Sequence, residues 1–218
     1  MEAIVIGATG LIGSSLVDQL ITNPSFTKVT AIVRKKSRLK NPKLTELVVD
    51  FENLAQYADE LKADVVFCAI GTTKSKTPNQ DQYKKIDYQY PLDLARIAFR
   101  NGATQYHLVS AMGADANSSI FYTKLKGEVE RDLKTIPYPS IFIYQPSLLN
   151  GHRKESRPME KILNGVMSVL NPLMIGELKQ YRSIKIEAVA SAMIKQALKA
   201  QQGIFTYTSD EIQALSQI

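Results

Sequence analysis

The chain has 218 residues, 44% of them hydrophobic and 22% charged, which excludes a disordered or low-complexity protein. A single cysteine, Cys68, excludes a disulfide framework and suits a reducing compartment. The net charge of +6 invites a nucleic-acid reading, but the excess is partly local: "RKKSRLK" at 34–40 holds five basic residues and no acidic one. No apolar run approaches the ~20 residues of a membrane span, and Met1 leads straight into a strand-like run without the basic start of a signal peptide. The expectation is a cytoplasmic protein with neither a membrane nor a nucleic acid as partner.

Short β-branched runs occur at 3–6, 29–33, 47–49, 65–70, 106–109 and 141–144. Near-continuous runs of this kind suit strands buried on both faces of a parallel sheet. Helical patterns lie between them. Ile12, Leu16 and Leu20, with Val17 and Ile21, form a stripe that "TNP" at 22–24 ends. "ENLAQYADELK" at 52–62 reads as a second helix. Tyr83, Ile86, Tyr90, Leu94 and Ile97 keep helical spacing up to Gly102, with Pro91 predicting a kink. A fourth helix is expected from about Ser119 to Lys134. After Tyr144 the pattern loosens into a loop at 145–158, a weak helix at 159–170, a short strand at 182–187, a helix at 187–201 and a last strand in "GIFTYT". The alternation predicts an α/β, Rossmann-type doubly wound parallel sheet. The whole chain, 1–218, is read as one such domain, with about 146–185 forming a minimal substrate lobe.

The first strand breaks into Gly7-Ala-Thr-Gly10-Leu-Ile-Gly13 and a helix follows. That context turns a weak glycine pattern into a dinucleotide turn. Gly7 permits the sharp turn, Gly10 lets the backbone approach a pyrophosphate, and Gly13 allows close helix–strand packing. Thr9, Leu11 and Ile12 complete the cradle at the helix start. NAD-binding versions place a carboxylate after the second strand to grip the ribose 2′-hydroxyl. Here Arg34, Lys35, Lys36 and Ser37 stand there instead, with no carboxylate until Glu46. A guanidinium can hold a 2′-phosphate through paired hydrogen bonds, so the expected cofactor is NADP(H), anchored by Arg34 with Lys35 and Ser37. Asp50 and Phe51 are expected at the adenine edge, where Asp50 could equally cap a helix. Ala69, Ile70 and Gly71 pass beneath the nicotinamide ribose, and Pro146 and Leu148 are also assigned to the cofactor.

Ser110 closes the fifth strand at its carboxyl end, where open α/β sheets bind ligands. Tyr122 and Lys126 stand four apart on one helical face. A free phenol titrates near pH ~10, and a neighbouring ammonium favours phenolate. The pair could exchange a proton with a carbonyl or alcohol oxygen as hydride moves. Ser110 would bond the same oxygen, and Lys126 would also reach the nicotinamide ribose. Ser118 and Ser119 read instead as helix caps.

These residues resemble a short-chain dehydrogenase/reductase of the extended or atypical type. "GATGLIG" matches its glycine pattern, and Ser110, Tyr122 and Lys126 match its Ser…Tyr-x-x-x-Lys set. "LVSAMGADANSSIFYTKLKGEVE", followed by "QPSLLNGHRKESRP", looks like the Tat-interacting oxidoreductase group and its bacterial nucleoside-diphosphate-sugar-epimerase-like relatives. The resemblance implies a Rossmann domain binding NADPH, with Ser110, Tyr122 and Lys126 catalytic. It departs at Gln145-Pro146-Ser147, where many extended members have Arg-Pro-Gly, and at Asp87, near a helix asparagine of those members.

The leading expectation is an NADPH-dependent oxidoreductase acting on a small carbonyl or alcohol. The alternatives are an NADPH-sensing regulatory protein and an epimerase/dehydratase-like enzyme of nucleotide sugars. Arg153 and Arg157, with Lys154, crowd the loop facing the nicotinamide end and are candidates to hold an anionic substrate. Two histidines and one cysteine predict no metal site. The apolar faces of 159–174 could cover substrate or meet a second copy or a regulatory protein.

Overall fold

The computed structural model describes residues 1–37, 39–150, 176–199 and 201–217. Strands β1 (Glu2–Ile6), β2 (Lys28–Val33), β3 (Leu44–Val48), β4 (Val65–Cys68), β5 (Gln105–Val109), β6 (Ser140–Gln145) and β9 (Gly203–Thr208) form one sheet, ordered β3-β2-β1-β4-β5-β6-β9. Every pairing in it is parallel. The order reverses between β1 and β4, which opens the ligand crevice of a doubly wound fold at their carboxyl ends.

Alternate residues of each strand enter two separate cores. Val5, Val65, Phe67, Phe142 and Tyr144 pack beneath α1 (Leu11–Thr22) and a later helix at Ile186–Leu198. Ile4, Ile6, Val66, Cys68, Tyr106, Leu108, Ile141 and Ile143 face α3 (Tyr90–Arg100) and α4 (Phe121–Leu133). The stripe expected on α1 is the buried one: Ile12, Leu16, Val17 and Leu20. The central strands β1 and β4 are therefore apolar on both sides, as their uninterrupted runs require, whereas the edge strands β3 and β9 are only partly covered.

The chain departs from the sequence expectations at several places, each with a physical cause. Residues 52–62 do not form an α-helix. Phe51–Glu60 is 3₁₀, with non-helical backbone at Asn53 and Tyr57. Asp50 takes up the Glu52 amide and the Asn53 side chain, and its own amide donates to the Tyr57 hydroxyl. Only Leu54 is fully buried, so local side-chain bonds win over a regular ladder. The stretch before Gly102 divides into α2 (Gln80–Lys84), a π-helical turn (Lys85–Gln89) and α3. Pro91 has no N–H for the carbonyl four residues back, that of Asp87, and the extra residue of a π-turn absorbs the mismatch.

Towards the C-terminus, the strand expected at 182–187 shrinks to β8 (Ile184–Lys185), paired with β7 (Leu149–Asn150). Isoleucine 186 already starts α5 (Ile186–Leu198), which packs on α1. Helix α6 (Ser209–Gln217) was not expected. Its signal is the run Thr208-Ser-Asp-Glu211, a capping box in which Glu211 accepts the Thr208 amide. β9 extends the main sheet beside β6. The expectations for the 145–158 loop beyond Asn150 and for the helix at 159–170 lie outside the described residues.

His107 is fully buried in β5, between the Tyr144 hydroxyl at 3.1 Å and Gln105 Oε1 at 3.2 Å, and it stacks on Phe142. Burial pushes its pKa down to about 3 from 6.5. Below pH 6.5 the unfolded chain therefore binds a proton that the folded chain refuses, so stability falls as pH drops from 6.5 towards 3. The slope from this one group is roughly 1.4 kcal/mol per pH unit. Urea melts of wild type and His107→Phe at pH 7 and pH 5 should show a smaller pH-dependent loss in the variant.

Candidate active site

The crevice is built where two loops touch. Gly7, following β1, has φ of +81°, and a Cβ on it would lie 2.6 Å from the backbone of Ala69 and Ile70. Only glycine combines that conformation with that approach. A Cβ on Gly13 would lie 2.0 Å from the Gly7 carbonyl oxygen, so the first turn of α1 rests directly on the glycine loop. Gly10 caps α1 without any side-chain hydrogen bond, and no acidic residue stands in the first turn. An uncapped helix start of this kind, with Leu11 and Ile12 at its mouth, fits the pyrophosphate of a dinucleotide.

Arg34 and Lys35 lie exposed just past β2. Ser37 is tied down: its amide donates to Glu46 Oε2 at 2.9 Å and its hydroxyl oxygen accepts the Leu39 amide. Glu46 pairs with Ala31 in the β2–β3 ladder, and from there its carboxylate reaches the basic loop, a contact that sequence distance concealed. Asp50 has both carboxylate oxygens engaged locally, on the Glu52 amide and the Asn53 side chain. Phe51 stacks obliquely with Tyr90, 5.3 Å between centroids.

Helix α4 holds Tyr122 and Lys126, two of the three residues expected to be catalytic. Its loop is clamped by Asp115, whose amide donates to the Thr123 carbonyl, and Gly127 is needed because a Cβ there would meet Ala116 N at 2.0 Å. Tyr122, at the first turn, is 41% exposed. Lys126, one turn on, is buried, with Nζ 2.9 Å from Asp87 Oδ1. Burial works against its charge, but the Asp87 carboxylate and Tyr122 outweigh it, and its pKa stands well above the usual lysine value. Tyr83 also borders the group: its hydroxyl donates to the Thr72 carbonyl, its ring meets Phe121 edge-on, and burial with the nearby Asp87 charge pushes it up to about 12.

Ser110 is 5% exposed, and its hydroxyl donates to Glu130. Gln145 Nε2 donates to both oxygens of the same carboxylate, at 3.0 and 3.1 Å. Glu130 lies eight residues beyond Tyr122, about 12 Å along a helix. The structure thus pairs Lys126 with Asp87 one helical turn from Tyr122, and joins Ser110 to Glu130, which Gln145 also meets. Glu130, buried and missed by the sequence reading, continues the spacing of four from Tyr122 and Lys126. Pro146 accepts the Met112 amide, and Leu148 accepts that of Ile184. Arg153, Lys154 and Arg157 lie outside the described residues. Ser110→Ala removes the hydroxyl donor to a buried carboxylate and should cost about 1–3 kcal/mol in a urea melt. An unchanged melt would show that Glu130 does not depend on it.

A family model described as NAD(P)H-binding matches residues 7–141. The Aspergillus oryzae protein fmp52-1, mitochondrial, is 30% identical over 219 residues, covering 97% of this chain and 92% of that protein. Rattus norvegicus HTATIP2 is 35% identical over 160 residues, covering 72% of this chain and 66% of that protein. Among solved structures, the UDP-N-acetylglucosamine 4-epimerase of Methanobrevibacter ruminantium superimposes with a TM-score of 0.69 at 21% identity, over 95% of this chain and 76% of that one. Bordetella bronchiseptica WbmH, in complex with NAD+, gives 0.71 at 13% identity, over 99% and 79%. The expected cytoplasmic location is corrected here, because the fungal relatives are mitochondrial proteins. Core composition and a buried cysteine carry no address, since targeting is read by receptors from separate signals. No helix among the described residues is long and apolar enough to cross a membrane. With the glycine turn inside the matched segment, the chain belongs to the NAD(P)H-binding family, and its sheet is wound like those of the sugar-nucleotide epimerases.

Proposed function

We propose that the protein is an NADPH-dependent oxidoreductase that interconverts a small carbonyl and its alcohol. The observation that carries the reading is the juxtaposition of an exposed phenol, Tyr122, with the buried Lys126 ammonium at the mouth of a dinucleotide crevice. Bound in that crevice, the nicotinamide would supply or accept the hydride. Tyr122 would hand its phenolic proton to the carbonyl oxygen of the substrate, or remove one from an alcohol. Its exposure to solvent lets it regain that proton from water. Lys126 stabilises the negative charge left on the tyrosine oxygen and offers N–H donors to ribose hydroxyls.

Ser110 has a single O–H, and that proton is committed to Glu130. It therefore supports the site by ordering the carboxyl ends of β5 and β6 rather than as a free donor to the substrate oxygen. At the other end of the crevice, Arg34 and Lys35 favour a 2′-phosphate, which a carboxylate at the end of β2 would repel. Substrate choice would rest on surfaces near Tyr122, where Ile120 and Phe121 are exposed apolar neighbours. A compact, largely apolar carbonyl compound suits that surrounding.

Two measurements test this. In a screen of carbonyl compounds following NADPH oxidation, Tyr122→Phe should lower turnover roughly a hundredfold or more while the variant still binds NADPH. Binding without turnover on a broad panel, in wild type, would overturn the enzyme reading. In fluorescence titrations, Arg34→Ala should weaken NADPH about tenfold or more and leave NADH unchanged. Equal or tighter binding of NADH by wild type would overturn the cofactor preference.

A further inference from the structure

The basic loop after β2 is tied to the rest of the protein by a side chain that the proposed cofactor site does not use. The Ser37 amide donates to Glu46 Oε2 at 2.9 Å, and the Ser37 hydroxyl oxygen in turn accepts the Leu39 amide. Among the described residues, the Glu46 contact is the one hydrogen bond that joins 34–40 to another element. Arg34, Lys35 and Lys36 are exposed. Past them Asn41 begins a separate turn, its side chain accepting the Lys43 amide and its carbonyl the Leu44 amide, so that end of the loop is closed by its own bonds.

The strand register fixes the height of the contact. Glu46 lies opposite Ala31, and Val48 opposite Val33, where both strands end. The carboxylate therefore starts below the crevice rim, about 7 Å down β3. Alternation puts Glu46 on the same face as Leu44, which packs on the α1-side core. The loop leaves β2 at the rim and folds back beside β3, and Lys36, Leu39, Lys40, Leu44, Thr45 and Glu46 line the groove between them. Between the last ladder residue, Val33, and the pinned Ser37 stand only Arg34, Lys35 and Lys36. Fixed ends so close together leave that short bend few paths, and the cations stay at the rim. A free loop would have to be ordered anew by its ligand.

We infer that Glu46 is a positioning residue for cofactor selection: by holding Ser37 it presents Arg34 and Lys35 to the 2′-phosphate that separates NADPH from NADH. The inference rests on the reading of Arg34 and Lys35 as the phosphate's partners, and it adds a residue that acts only through them. The carboxylate does not oppose the phosphate as one at the end of β2 would, since it is set below the rim and its charge is met by the Ser37 amide. A charge-assisted bond to a main-chain amide also fixes the backbone, so the hold persists whichever way the basic side chains swing.

Glu46→Ala removes the tether, and Glu46→Gln keeps an acceptor oxygen without the charge. Affinities for NADPH and NADH are read by fluorescence titration. The loop is read by the rate of tryptic cleavage after Arg34, Lys35 and Lys36, with the fragments identified by mass. Glu46→Ala should weaken NADPH roughly tenfold, as expected when about one residue must be ordered afresh on binding. It should leave NADH within about twofold and speed cleavage in the loop about threefold or more. Glu46→Gln should keep NADPH within about threefold of wild type and leave cleavage unchanged. Tighter NADPH binding by both variants would show a carboxylate that only repels the phosphate, and would overturn the inference. Equal losses for NADPH and NADH would mark a merely structural role and overturn it as well. So would unchanged NADPH binding or unchanged cleavage in Glu46→Ala, or a Glu46→Gln variant as weak as Glu46→Ala. In each of these cases a wild type that prefers NADPH leaves the cofactor reading standing. A wild type that holds NADH as tightly as NADPH overturns that reading and the inference together.

Discussion

The fold turns on the contact between the backbone of Gly7 and that of Ala69 and Ile70, where a Cβ would lie 2.6 Å away. This is the topological switch point of the sheet, where β1 and β4 run side by side and their connections leave to opposite faces. Because the two loops touch there, the first turn of α1 is drawn onto the glycine loop and its amide end is held open. The same contact sets the path of the chain through Gly71 and Thr72, and so sets where Asp87 must stand to meet it.

Helix α4 is the second organising element. Tyr122, Lys126 and Glu130 repeat at the spacing of one face, and each meets a different environment along the axis. Tyr122 stands at the surface, Lys126 is sealed against Asp87, and Glu130 ends among the hydroxyl and amide donors of Ser110 and Gln145. A single helical stripe thus runs from solvent to the ends of the central strands. Its placement depends on Gly127, which admits the backbone of Asp115 and Ala116 against the helix. Lys126 and Glu130 enter this stripe with partners at hand, because a lone charge there would cost far more than packing returns.

Much of this was legible in the residues. The strands, α1 and its stripe, α4 and the glycine turn follow from local periodicity and from what glycine and proline permit. Pro91 signalled a break, although not that the break would be a π-turn delivering Asp87. Local patterns misled at 52–60, where caps from Asp50 and a contact with Tyr57 replaced an α-helix by 3₁₀ turns. The capping box at Thr208–Glu211 was present in the sequence and would have revealed α6. At Ser110 the motif carried no sign of the partner its hydroxyl meets, Glu130, 20 positions away.

The sequence by itself determined the parallel, doubly wound sheet, the dinucleotide turn and the Tyr122–Lys126 spacing, because each is written in residues within a few positions of one another. Only the tertiary structure decided that Lys126 is paired with Asp87, that Ser110 serves Glu130, and that Glu46 reaches the loop of Arg34–Ser37. Those contacts join residues 9, 20 and 39 positions apart. Short-range steric rules govern the first group, whereas the second arises when polar groups brought together by the packing of distant segments find partners.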